Sequence, residues 1–239
     1  MKVMKPILLF LLPIFGHAFL ASGQFAVIKD PDGFTNVQAG DSLKAKIVGR
    51  LHDGEVVVTT FTQNGWTKVF YDPEKSYGSR PFEGFVHDDR LQPIENLPHI
   101  QDSNIKLKNG RLTLHNDSVV VQISTAPFRS KDHVLRKDDY GNVKTIDGKF
   151  AWGSGDAVPA RKITSLTLTI RGQTVPLPAS AWNDLYEPYL ETPNAYFDTR
   201  TACLYIEMPA NGGKSASGAY AIVWVFKNGK YITRYFNGF

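Results

Sequence analysis

The chain has 239 residues, 42% hydrophobic and 21% charged, which suits a folded globular protein and excludes a disordered or collagen-like one. Its formal charge is +4, of which Lys2 and Lys5 supply two at the extreme N-terminus. Lys and Arg are scattered through the rest, so the clustered basic footprint of a nucleic-acid binder is missing. A single cysteine, Cys203, excludes an intramolecular disulfide.

The chain opens with Lys2 and Lys5 ahead of an apolar run over 6–16. That run is shorter than the about 20 apolar residues a bilayer span needs. It has the length and flanks of a secretory signal core. Ala21 and Gly23 are small residues placed for cleavage after Gly23, and Gly16 and Ala18 permit cleavage after Ala18. Residues 1–23 are therefore expected to be a signal peptide, leaving a soluble periplasmic or secreted chain. No cysteine near the cleavage region could take a lipid, and no later apolar run is long enough to span a membrane.

Asp-Gly stands at 32–33, 53–54 and 147–148, and Asn-Gly at 64–65, 109–110, 211–212, 228–229 and 237–238. Both dipeptides accept the positive φ angles of tight hairpins. Short β-branched and aromatic runs lie between them, and no long amphipathic helical stripe occurs. The expected fold class is mainly antiparallel β.

In the first segment, strands are predicted over 26–28, 36–38, 47–51, 55–62, 66–70 and 83–87. Four blocks stand in order here. They are Ala26-Val27-Ile28-Lys29-Asp30-Pro31-Asp32-Gly33-Phe34-Thr35-Asn36-Val37-Gln38-Ala39-Gly40, Lys46 to Val56, Asn64-Gly65-Trp66-Thr67-Lys68-Val69, and Glu83-Gly84-Phe85-Val86-His87 through Arg90-Leu91. In order and spacing they resemble a bacterial SH3 domain, about a third of the chain. The resemblance implies an SH3-like β-barrel over 24–94 that engages peptidoglycan or a protein surface. The family usually carries Arg where Gln38 stands, and residues 71–82 form an insert. Tyr71, Tyr77 and Phe82 flank that insert and are candidate binding residues; Trp66 reads as core.

Residues 92–99 contain Pro93 and Pro98 in a polar run without helix or strand period, so a linker is expected over 95–100. The second segment, 101–239, carries predicted strands at 105–108, 111–115, 118–124, 143–146, 149–152, 163–170, 173–177, 195–198, 203–208, 219–226 and 230–236. The 163–170 run alternates apolar and polar, the mark of a half-buried strand. The 221–226 run is almost continuously apolar, as in a central strand. Pro178 to Tyr186 is the candidate short helix, with Pro178 in its first turn. A sandwich or curved sheet with one short helix is expected.

Chemistry is sparse. Cys203 lies mid-strand, whereas an activated thiol belongs at a helix N-terminus, so it reads as a buried apolar residue. Gly153-Ser154-Gly155-Asp156 reads as a turn rather than a nucleophile elbow. No histidine falls in a metal-ligand spacing, and no cofactor or metal is expected. Asp147, Asp156, Asp184 and Glu187 fall in or beside loops, where two of them could serve as acid and base in glycan cleavage. Trp152, Trp182 and Tyr186 beside Asp156 and Asp184 form a second candidate binding cluster, able to stack on sugars or grip a peptide. The reading is a non-catalytic binding protein of the cell envelope, its partner a cell-wall glycan or peptide or an envelope protein. The alternatives are a carbohydrate or peptide hydrolase with its site in 100–239, and a periplasmic inhibitor or immunity protein.

Overall fold

The computed structural model describes residues 24–73, 80–100, 105–211 and 218–238. The expected signal peptide and Tyr77 lie outside the described residues. The chain is mainly β, paired antiparallel within its sheets, with no helix of seven or more residues among the described residues.

Seven strands of the first segment make one sheet. They are β1 (Gln24–Ile28), β2 (Phe34–Gln38), β3 (Ile47–His52), β4 (Val56–Gln63), β5 (Trp66–Tyr71), β6 (Phe82–His87) and β7 (Leu91–Pro93). Their order is β3-β2-β6-β5-β4-β1-β7, with β3 and β7 at the two edges, so the sheet is open rather than a closed barrel. The inward side of β1 to β6 supplies Ala26, Ile28, Val37, Leu51, Val57, Val69 and Val86, a compact apolar core.

The second segment begins with β8 (Ile105–Lys108), β9 (Arg111–His115) and β10 (Val119–Pro127), which join β14 (Arg161–Ile170) and β15 (Gln173–Val175) in a five-stranded sheet. Between β10 and β14 stands a small sheet of β11 (Leu135–Lys137), β12 (Val143–Ile146) and β13 (Lys149–Phe150). A four-stranded sheet follows: β16 (Asn194–Asp198), β17 (Cys203–Asn211), β18 (Ala219–Lys227) and β19 (Lys230–Gly238).

The four-stranded sheet is the middle layer. One face carries Leu204, Ile206, Ile222, Trp224 and Phe236 against Leu112, Leu114, Val121, Ile123, Ile163 and Leu168 of the five-stranded sheet. The other carries Tyr196, Cys203, Tyr205, Val223, Val225 and Tyr235 against Phe25, Val27 and Val56 of the N-terminal sheet. Side chains alternate between the faces of a strand, so a strand covered on both faces is apolar throughout. This is why 221–226 has no polar position.

The prolines at 93 and 98 bracket packed structure rather than a loose linker. Pro93 ends β7, which pairs with β1, and Ile94–Asn96 forms a 3₁₀ turn. Ile94 and Leu97 are buried in the core shared by the two segments. The candidate short helix is likewise a single 3₁₀ turn, Ala179–Ala181, pinned by the Trp224 indole, whose Nε1 donates to Ala181 O at 2.7 Å. Asn237-Gly238, read as a hairpin signal, continues β19 instead.

Candidate functional site

The residues singled out in the second segment do not share a surface. Trp152 is buried, its ring stacked on Phe236 with centroids 4.3 Å apart. Trp182 packs half-buried against the same core. Tyr186 is buried edge-on to Phe128 at 5.6 Å, and burial pushes its hydroxyl pKa well above the usual phenol value. These aromatics therefore offer core packing instead of open ring faces. A Cβ on Gly153 would stand 2.2 Å from Tyr186 O, which is how the 151–153 and 184–186 segments lie so close.

The loop carboxylates are each held by a different partner. Asp184 is buried in a bidentate pair with Arg234, both N–O distances 2.6 Å. Asp156, at positive φ, faces solvent and meets Lys144 Nζ at 2.9 Å. Asp147 accepts from His133 Nδ1 at 2.6 Å, and Glu187 accepts from the backbone N–H of Ala160 and Arg161. The cavity beside Trp152 and Asp156 is about 40 Å³ and is not lined by Asp184. No acid–base pair converges there.

In the first segment, Tyr71 donates to Glu55 Oε1 at 2.6 Å and leans on Tyr235 of the middle sheet at 5.8 Å. Burial, then the Glu55 carboxylate, push its pKa up to about 12. Phe82 lies half-buried over Gly49, where a Cβ would collide with its ring. Both residues are occupied by packing.

A groove of about 480 Å³ instead opens on the outer face of β2, β5 and β6. Val37, Val69 and Val86 join the core, while Phe34, Thr35, Asn36 and Gln38 of β2, Trp66 of β5 and His87 of β6 line the groove. Register sets Gln38 opposite Phe85, and Trp66 opposite His87. Trp66 is only 6% exposed, as a core reading expects, but it forms a wall of this groove. Its ring meets His87 edge-on at 5.2 Å. The 39–46 loop supplies Leu43, 82% exposed, at the rim, and Asn64 Nδ2 donates to Asp41 Oδ2 to tie that loop to the β4–β5 turn.

The polar end of the groove is a chain of contacts. His87 Nδ1 lies 2.8 Å from Asp89 Oδ1, Arg90 Nε 3.2 Å from the same oxygen, and Arg90 Nη1 3.3 Å from Asp30 Oδ1. Asp30 Oδ1 also accepts from Asp32 N at 2.9 Å, and Asp30 N donates to Asp53 Oδ1 at 3.0 Å. Gln38, 5% exposed, also borders the groove, and its buried Oε1 has no hydrogen-bond partner among the described residues. Strand alternation could not have found this site, because β2 carries a register shift between Val37 and Gln38 and both residues are buried.

Among the described residues, no group of three or more His, Cys, Asp and Glu side chains is arranged to hold a metal ion. No helix among them is long and apolar enough to cross a membrane. Comparison with family models, curated proteins and solved structures finds no match to this chain.

Proposed function

We propose that this chain is an exported, non-catalytic binding protein of the cell envelope, and that its N-terminal sheet is a bacterial-SH3-like module whose groove takes a short cell-wall peptide. The observation that carries this reading is the groove itself. It combines a tryptophan wall, an exposed leucine rim and a charged end, and its size falls within the about 300–1,000 Å³ of small-ligand sites. Deep, mostly apolar recesses with a few convergent polar groups are the usual form of such sites. The expected partner is peptidoglycan or an envelope protein presenting an extended segment.

The test is co-sedimentation of the protein lacking residues 1–23 with purified cell-wall sacculi, beside Trp66→Ala and Leu43→Ser. Wild type is expected in the pellet and Leu43→Ser mostly in the supernatant. Equal partition of wild type and Leu43→Ser would remove the groove from the reading.

A further inference from the structure

We infer that the outer face of the five-stranded sheet is a second binding surface, separate from the groove, and that it takes a soluble anionic glycan chain. The five strands β8, β9, β10, β14 and β15 contain no Asp or Glu, although the chain has 23. Their cations are Lys106, Lys108, Arg111, Arg161 and Lys162. Lys162 is engaged, its Nζ 2.9 Å from His133 Nε2. The other four are exposed and make no ion pair among the described residues.

Pairing gathers three of these cations at one corner. Lys108 of β8 stands directly opposite Arg111 of β9, across the Asn109-Gly110 turn. Like charges placed so destabilise a sheet. The third cation is Arg161. A Cβ on Gly110 would lie 2.8 Å from its Nη2, so the guanidinium rests against that turn. Neutral hydroxyls hold the two guanidinium groups: Arg111 Nε donates to Ser124 Oγ at 3.3 Å, and Arg161 Nη2 to Thr125 Oγ1 at 3.0 Å. Glu187 accepts from the backbone N–H of Ala160 and Arg161 but makes no ion pair with the Arg161 side chain. The corner therefore carries an unrelieved repulsion that a bound anion removes, and charge complementarity sets the sign of the ligand.

The rest of the face sets its class. Leu112, Leu114, Val121, Ile123 and Leu168 fill the core beneath the sheet. The register is unbroken here, so the rank Lys106, Thr113, Gln122 and Thr167 lies on the opposite, outer side. Its ammonium, hydroxyl and amide groups suit the hydroxyls of a sugar chain. The five strands contain no Phe, Tyr or Trp on which bases could stack. Leu107, the exposed large apolar residue of β8, is opposite Leu112 on the core side, so the outer rank offers nothing to insert into a bilayer.

The experiment titrates the purified protein by calorimetry with dextran sulfate, uncharged dextran, phosphatidylglycerol vesicles and a thymidine oligonucleotide. Dextran sulfate is expected to bind and dextran not to. The affinity is expected to fall about tenfold between about 50 and 200 mM salt, because each cation that meets a sulfate releases counterions. Lys108→Gln with Arg111→Gln is expected to weaken dextran sulfate about tenfold. Arg136→Gln with Lys137→Gln removes the same charge from exposed positions of β11 and is expected to change it less than about twofold. Equal weakening by the two double variants overturns the face as the site and leaves only attraction by net charge. Vesicles or oligonucleotide bound as tightly as dextran sulfate overturn the glycan assignment. Failure of dextran sulfate to bind overturns the inference outright.

Discussion

At the scale of single residues, the buried ions are the most exacting parts of the molecule. Asp184 and Arg234 are held by two charge-assisted hydrogen bonds inside the middle of the fold. Removing one charge strands the other, which costs about 3–5 kcal/mol. Asp184→Asn is therefore expected to lower the melting temperature by roughly 6–20 °C, read by calorimetry. A change within error would mean that the pair contributes little. Glu207 behaves in the opposite sense. Burial first, then the nearby Glu95 carboxylate, raise its pKa above the ordinary 4.5, although the Tyr196 hydroxyl 3.4 Å away lowers it somewhat. The folded state thus holds the proton more tightly than the unfolded one. The contribution is complete below about pH 4.5 and is lost as pH rises through the folded pKa. Glu207→Gln should therefore match wild type in urea midpoint near pH 4 and exceed it increasingly toward pH 7. A pH-independent difference would contradict this account.

At the scale of elements, the joint between β2 and β6 governs the groove. Gly84 lets them approach: a Cβ there would stand 2.5 Å from Val37 Cγ1 and 2.6 Å from Gln38 O. The second contact is backbone and cannot rotate away. Gly84→Ala is expected to cost about 2 kcal/mol through overpacking, and to displace β2 so that sedimentation with sacculi weakens with it. Unaltered stability in denaturant titration would show that the strands separate freely. The same scale shows what the sequence made legible. Asn64-Gly65, Asn109-Gly110, Asp147-Gly148 and Asn228-Gly229 take the paired positive φ angles of tight hairpins, because their short side chains tolerate that region. Arg171-Gly172 makes the same turn without the expected first residue. The strand β11 was not legible, since Leu135, Arg136 and Lys137 show no alternation and pair only through a bulged register with β12. Of the site, Trp66 was visible as a residue but not as a wall. Its low exposure comes from lateral neighbours such as His87, and propensity alone does not say on which side of a sheet a tryptophan is buried.

At the scale of the whole molecule, the layers are interdependent. The four-stranded sheet is covered on both faces, and one of those covers is the N-terminal sheet. Ile94 and Leu97 fill the joint. Their burial was hidden in the sequence because the core they join includes Tyr205 and Val223, more than 100 positions away. A single cooperative unfolding transition is expected, with tryptophan fluorescence and far-UV circular dichroism coinciding. A chain ended at residue 94 should lose that cooperativity, since Phe25, Val27 and Val56 would face water. Two separate transitions in the intact chain would show that the layers fold independently.

Asp53 has a wider consequence. One of its oxygens accepts the backbone N–H of Asp30 at the groove, and the other meets Arg200 beyond β16. Tyr205 adds a second tether by donating to Gly54 O at 3.0 Å. The groove wall is thus fastened to the layer behind it. Were a ligand to bind the groove more tightly with this junction closed, linkage would make the junction tighter in return, and Arg200→Ala would then weaken that ligand.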